Sequence, residues 1–367
     1  MFKIFKKTSH PDYIFLSCVI LLTIFGLVIL SSASSDLGKI KFNDTYFYLK
    51  HQIFFGLSLG VAGFLFAYYF HYKNLKKIAV PLLIINIIFL ILVFTSLGTS
   101  HKGSSRWLNF GPISFQPAEL LKISFIVYLS AWLSNRAAKR QSSFLGGFLP
   151  FLIISGFVAF LVFKQPATTT IAIILSAAFI IYFLSGVKML YIAGVAFIGI
   201  LAITSIIYLT PYRYQRIMTY LSEEKDQTTG YQLTQSLTAI GGGGLLGRGF
   251  GKSTIKYKYL PESIGDSIFA VIAEELGFIG SLFLLATFIV LFIRGFSIAK
   301  YSSNQFAKLT AIGLTSVIAL QVFVHIAANS GIIPLTGVPL PFVSYGGTSL
   351  AVFLTMTGII ANISKNK

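Results

Sequence analysis

The chain has 367 residues, of which 55% are hydrophobic and only 11% charged, and its mean hydropathy is +0.80. Soluble globular domains carry about 25% charged residues, so this composition excludes a cytosolic enzyme, and its apolar content excludes disorder. Lys and Arg number 29 against 11 Asp and Glu, a net charge of +18, but the basic residues sit in short segments between apolar runs, the pattern of membrane topology and not of a nucleic-acid surface.

A spanning helix needs about 20 mainly apolar residues. That rule predicts an all-α chain, one membrane domain over residues 1–367 with about ten transmembrane helices. They fall near 13–33, 46–70, 78–97, 117–134, 147–164, 167–185, 188–209, 265–294, 307–330 and 344–364. The first run is too long for a cleaved signal peptide and lacks a small-residue cleavage site. It contains Cys18, the single cysteine, so no intrachain disulfide is possible. With the N-terminus inside, the inner segments hold fifteen Lys and Arg residues and the short outer loops six. Both termini are therefore expected in the cytoplasm, which requires an even number of spans. The outer loops fall at about 98–116, 210–264 and 331–343, the longest lying between the seventh and eighth spans.

In the first of these loops Arg106 precedes Trp107, one of two tryptophans. An anchor in the interfacial aromatic belt and a sugar-stacking platform both account for Trp107. The fourth span opens Pro117-Ala118-Glu119, and Glu119 and Lys122 stand three apart, the spacing of a structural pair across one helical turn.

The longest loop carries Arg213, Arg216, Lys225, Arg248, Lys252, Lys256 and Lys258. An outer basic excess runs against the topogenic bias. A solvated loop at anionic headgroups explains it, and so does an anionic ligand such as a phosphate-bearing lipid. The stretch 236–251, SLTAIGGGGLLGRGFG, favours the ligand, because glycines let backbone N–H groups approach phosphate. Gly242, Gly244 and Gly247 match G-x-G-x-x-G without a strand–turn–helix unit, and Leu246 stands where a Walker A loop needs glycine. Both nucleotide readings are rejected.

Acids inside a span are functional candidates because insertion costs them roughly 2.5–3.5 kcal/mol. The eighth span holds Asp266, Glu274 and Glu275. At 100° per residue Asp266 and Glu275 face opposite sides and Glu274 lies deeper, so this helix alone builds no carboxylate pair. Asp266 is the accessible acid, with helix capping as its plain alternative. His325 reads as a packing residue of the ninth span, and His101 as a loop residue with no visible partner. The segment 331–347, GIIPLTGVPLPFVSYGG, is stiff, and at membrane depth such backbone is tolerated where it lines a cavity or is buried in protein.

Taken together these motifs resemble the SEDS proteins (shape, elongation, division and sporulation), the FtsW/RodA family. Arg106-Trp107 with Gln116-Pro117-Ala118-Glu119 is similar to RW…QPSE. Gly230-Tyr231-Gln232, Gln235-Ser236 and the glycine run resemble GYQ…QS…GSGG…GKG. Leu260-Pro261-Glu262, Asp266, Phe269-Ala270-Val271-Ile272 and Glu274-Glu275-Leu276-Gly277 resemble LPE…TDFIFAVIGEELG. The run from Pro334 to Phe342 with Ser344-Tyr345-Gly346-Gly347-Thr348 resembles PVTGIPLPFISYGGSS. The likeness covers essentially the whole chain. Ser31 to Ser35 and Tyr48-Leu49-Lys50…Gln52 resemble the division branch, FtsW, more than RodA. The chain departs from the family at Gln165-Pro166-Ala167-Thr168-Thr169-Thr170, where QPDLGT is usual and Ala167 replaces an acid.

The resemblance implies a peptidoglycan glycosyltransferase that polymerises lipid II at the outer face of the bacterial cytoplasmic membrane, at the septum. Asp266 matches the family's catalytic acid, and one carboxylate suffices as base for the acceptor hydroxyl in a single inverting displacement. The diphosphate leaving group needs cations, supplied by Lys and Arg or by a divalent ion, Mg²⁺ or Mn²⁺. Expected substrate contacts are Arg106, Trp107, Lys122, Arg213, Arg216, Gln232, Gln235, Ser236, Lys252, Glu275, Ser344, Tyr345 and Gly346. A class B penicillin-binding protein and other division proteins are the implied partners, since the chain offers no soluble outer domain for crosslinking. A lipid II flippase, with Glu119, Lys122 and Glu274 lining a polar path, and an elongation polymerase are the alternatives. A non-catalytic scaffold has no use for intramembrane charges.

Overall fold

A computed structural model of the chain describes residues 10–101, 104–110, 113–134, 143–221, 229–256 and 260–365. Seven helices among them are long and apolar enough to cross a membrane: α1 (Tyr13–Ala33), α3 (Phe47–Tyr69), α7 (Phe144–Lys164), α9 (Met189–Leu209), α12 (Ile268–Lys300), α13 (Gln305–Asn329) and α14 (Gly347–Ser364). The other three expected spans form shorter helices. They are α5 (Ala79–Leu92), α6 (Pro117–Leu133) and α8 (Thr168–Leu184). At about 1.5 Å per residue, 17 residues in α6 and in α8 extend about 26 Å and 14 in α5 about 21 Å, against ~30 Å for the hydrocarbon core. Short helices α2 (Ser35–Phe42), α4 (Tyr72–Lys77), α10 (Pro211–Leu221) and α11 (Thr229–Gly242) complete the set.

The chain is mostly helical, as expected, and one loop carries a small sheet. Residues expected as the outer loop 98–116 form an antiparallel three-stranded meander, β1 (Gly98–His101), β2 (Ser104–Phe110) and β3 (Ile113–Phe115). Thr99 faces Trp107 and Leu108 faces Phe115. No amphipathic helix fits here, because the segment is short and rich in turn residues, so the backbone satisfies its polar groups by pairing with itself.

The bundle centre is polar-stitched and apolar-filled. In α13 and α14 about three quarters of the hydrophobic window is buried, 72% and 78%, against 6% in α9, so α9 is peripheral. Helix α6 is buried almost throughout, its helical start set by Pro117 with Glu119 in the first turn.

Two polar contacts set the depth of α12. Arg294 grips Asp12, the N-cap of α1, at 2.6 Å. At the other end of α1, Ser32 donates to Glu275 at 2.7 Å. The contacts stand about 20 residues apart on both helices, which is about 30 Å and matches the hydrocarbon core. The antiparallel α1–α12 pair is thus held at both ends, and Glu274 and Glu275 lie at the Ser32 end of α1.

Helix α12 is also not continuous. Gly277 has φ +66° and ψ −163°, breaking the helix there. Residues 243–249 insert into the break: Arg248 N donates to Glu274 O at 2.9 Å, Gly249 N to Glu275 O at 3.0 Å, and Phe278 N to Gly244 O at 2.9 Å. A Cβ on Gly277 would lie 2.3 Å from Gly247 N, so only glycine permits this approach.

Candidate active site

The turn 261–267 carries Asp266 to the end of the bundle at which α12 begins. Glu262 adopts φ +51°, and its carbonyl accepts from Gly265 N at 3.0 Å and Ser267 N at 3.1 Å. Asp266 lies ahead of α12 and not inside it, and Ser267 occupies the N-cap without a side-chain cap bond. The capping alternative for Asp266 is thereby corrected, because the residue sits one position too early.

Three remote stretches bond this turn. Ser344 Oγ donates to Gly265 O at 2.7 Å, and Tyr345 N donates to Ile264 O at 2.9 Å. Asn329 Nδ2 donates to the Asp266 carbonyl at 2.9 Å. Gln232 Nε2 donates to Ser267 Oγ at 2.9 Å, and Ser267 Oγ passes a bond to Pro261 O at 3.1 Å. Gly337 lies beside the carboxylate, where a Cβ would make ordinary contact with Asp266 Oδ2 at 3.4 Å. The backbone on both sides of Asp266 is held while its side chain stays partly exposed.

A polar stripe on α13 holds the proline segment over this turn. Gln321 Nε2 donates to Pro339 O at 2.8 Å. His325 Nδ1 lies 2.8 Å from Val338 O, so that nitrogen carries the proton. With Asn329 these residues stand four apart and share one helix face. Gln321 Oε1 in turn accepts from Lys122 Nζ at 2.7 Å, which pairs with Glu119 at 2.6 Å. Lys122 is 1% exposed, so the expected substrate contact is corrected: its ammonium is spent on Glu119 and Gln321.

In the glycine run the N–H groups of Arg248 and Gly249 close the broken α12, as described above, so those two are not free for an anionic ligand. The following residues serve the same splice. Ser253 Oγ donates to Glu274, Thr254 N donates to Glu274 at 3.1 Å, and Arg248 pairs with Glu274 at 3.2 Å. Lys256 Nζ reaches Glu275 and Ser32, each at 2.8 Å. Glu275 and Ser236 are both 0% exposed, so the expected substrate contacts there are corrected as well. Ser253 and Lys256 have the S-x-x-K spacing of transpeptidases, but each is committed to a different glutamate. Glu119, Lys122 and Glu274 form local pairs in place of the polar path a flippase requires.

Other expected contacts lie elsewhere. Arg106 donates from Nε to Gln165 O at 2.8 Å and from Nη2 to Pro166 O at 2.6 Å, which ties the meander to the α7–α8 turn. Trp107 is half-buried on β2. Arg213 lies over the Phe163 ring at 4.8 Å. Gln235 is half-buried and Lys252 exposed, and Gly346 N donates to Gln52 Oε1 at 3.1 Å. The side chain of Arg216, together with Lys225, Lys258 and the side chain of His101, lies outside the described residues. The Tyr345 hydroxyl and His51 Nδ1 are hydrogen-bonded at 3.0 Å. Burial, and secondarily Tyr48, pushes the phenol up to about 12, so Tyr345 stays neutral. Asn329, Ser267 and Gly337 were not expected at the site. The polar i, i+4, i+8 spacing of Gln321, His325 and Asn329 in an apolar helix is the sequence signal for the first of them.

Fold and site together define a multi-pass helical membrane protein with an acid-bearing turn clamped at one end of its bundle. The chain belongs to the FtsW/RodA/SpoVE family of cell cycle proteins, whose family model matches residues 12–367. It is 37% identical to stage V sporulation protein E of Bacillus subtilis (strain 168) over 98% of both chains. It is 36% identical to the probable peptidoglycan glycosyltransferase FtsW of Geobacter sp. (strain M18), again over 98% of both. Among solved structures, a chain of a peptidoglycan synthase complex that coordinates polymerization and crosslinking is similar with a TM-score of 0.81. Identity there is 25%, covering 96% of this chain and 97% of that one. The rod shape determining protein RodA of Thermus thermophilus is similar with a TM-score of 0.71 and 25% identity, covering 96% of each.

Proposed function

We propose that this chain is a peptidoglycan glycosyltransferase that polymerises lipid II at the outer face of the bacterial cytoplasmic membrane, with Asp266 as general base. The observation that carries the reading is convergence: Gln232, Asn329, Ser344 and Tyr345, from three separate stretches, all bond the one turn that presents Asp266. The names borne by the relatives support the substrate class.

The acceptor's 4-hydroxyl oxygen attacks the donor's anomeric carbon. A C–O bond to the acceptor forms as the C–O bond to diphosphate breaks. Undecaprenyl diphosphate departs with the bonding electrons, and the hydroxyl proton passes to the Asp266 carboxylate. One displacement inverts the α-linked donor. The leaving diphosphate needs positive charge and no acid, and among the described residues of this loop exposed Lys252 and half-buried Arg213 are cations that would supply it. The described residues contain no cluster of three or more His, Cys, Asp or Glu that holds a metal unaided. A divalent ion that arrives with the substrate's phosphates fits, because Mg²⁺ is commonly held by one or two carboxylates plus phosphate oxygens. Glu262, exposed on the Asp266 turn, would hold it, and the ion would supply charge neutralisation. The division septum and a class B penicillin-binding protein complete the reading.

Purified protein incubated with lipid II, with and without the transpeptidase, tests it. The parent chain polymerises, and Asp266→Asn inserts and folds but makes no strand. Polymer at near-parental rate from Asp266→Asn would overturn the assignment.

A further inference from the structure

Phe42, at the end of α2, and Phe47, at the start of α3, stack with centroids 3.7 Å apart and planes 11° from parallel. Tyr48 meets both rings edge-on, at 5.8 and 5.6 Å, and meets Tyr345 edge-on at 5.2 Å. The strip thus runs unbroken from the α2–α3 elbow to Tyr345, whose backbone bonds the Asp266 turn at Ile264. Polar groups border it on both sides. On the elbow, Asp44 pairs with Lys50 at 2.8 Å, and their side chains are 35% and 59% exposed. On the turn, which Tyr345 N bonds at Ile264 O, Glu262 is exposed.

The elbow holds its shape firmly. Asn43 takes φ +52°, and Gly38 passes so near Asp44 that a Cβ would lie 2.5 Å from its carbonyl oxygen. Interfacial belt aromatics work as separate anchors against lipid. Here the rings pack on one another, end at the site, and carry an ammonium–carboxylate pair within the same elbow. Phe42 is 48% exposed, so ring surface remains for a ligand. Apolar ring faces beside charged hydrogen-bonding groups match a pyranose, which offers C–H bonds on one face and hydroxyls at its rim.

We propose that this strip is an oligosaccharide subsite that holds a β-linked amino-sugar strand beside Asp266. The proposal rests on the glycosyltransferase reading and adds residues to it: Phe42, Phe47 and Tyr48 as stacking surface, with Asp44 and Lys50 as hydroxyl partners.

The test uses the full chain in detergent and a hexamer of β-1,4-linked N-acetylglucosamine as probe, with binding followed by saturation-transfer NMR. The parent chain is expected to bind the hexamer more tightly than the dimer. Tyr48→Leu keeps apolar bulk but loses the ring, and weakens binding about tenfold, whereas Tyr48→Phe retains it. Tyr69→Leu, at the far end of α3 and 75% exposed, leaves binding unchanged. Strands made from lipid II by Tyr48→Leu are expected to be shorter than the parent's. If Tyr48→Leu elutes as aggregate, the exposed Phe42→Leu decides by the same readings. No hexamer binding at millimolar concentration, or Leu variants that bind and extend like the parent, would overturn the subsite. A parent chain that binds hexamer without polymerising lipid II keeps the subsite and sinks the polymerase reading instead.

Discussion

Lys256 Nζ lies 2.8 Å from Glu275 Oε1, and both side chains are all but sealed from solvent. The pair joins the inserted loop to α12 beside the Gly277 break, and Ser32 adds a bond from α1 to each partner. The longest outer loop is therefore partly a structural wedge.

Removing one member of a buried pair leaves the other uncompensated. Lys256→Met is expected to destabilise the folded chain by about 3–5 kcal/mol. The double variant Lys256→Met/Glu275→Leu should recover much of that loss. Thermal unfolding in detergent of both variants checks the ordering.

Gly277→Ala and Gly186→Ala both place a side chain at positive φ, +66° and +84°, but only Gly277 faces backbone at 2.3 Å, and Gly186 faces nothing within 4 Å. Gly186→Ala should cost about 1 kcal/mol of strain. Gly277→Ala should cost several times more and expel the 243–249 insertion, read out as new protease cleavage in that loop.

Ala167 is the N-cap of α8 and makes no side-chain cap bond. Ala167→Asp restores the acid of the family motif, gives the helix a cap of about 1 kcal/mol, and lies beside the Gln165 and Pro166 carbonyls that Arg106 holds. The unfolding midpoint should rise. A fall would mean that burial of the carboxylate outweighs the cap.

Polymerisation is expected to stop on exhaustive chelation and to return with Mg²⁺ or Mn²⁺. Full activity in chelator would leave Lys252 and Arg213 as the charge stabilisers.

A class B penicillin-binding protein is expected to co-purify from mild detergent and to raise the rate of strand synthesis from lipid II. Equal rates with and without it, and no such protein in the eluate, would end the coupling idea.

The long apolar helices were legible because hydropathy is a local property, and the turn that carries Asp266 was marked by its motif. What escaped were relationships between distant residues. The apolar run through Leu276-Gly277-Phe278 reads as uninterrupted helix, since nothing local reports that 243–249 enters there. Lys122, Ser236 and Glu275 share motifs with exposed residues, yet burial is decided by Gln321, α12 and Lys256. The meander at 98–115 was hidden because a short paired segment carries a weaker signal than a span. Asn329 was readable in part, as the last of three polar residues at helical spacing, but its partner, the Asp266 carbonyl, was not.

Polar contacts at both ends of α1, to Arg294 and to Glu275, give the α1–α12 pair a mechanical character. A slip of one helical turn, about 5.4 Å, would break both ends at once. The two helices must therefore travel as one rod in any rearrangement of the molecule. Freedom to shift tilt or depth is left to α9, which shares little surface with its own chain and whose position the thickness of the surrounding bilayer is free to set.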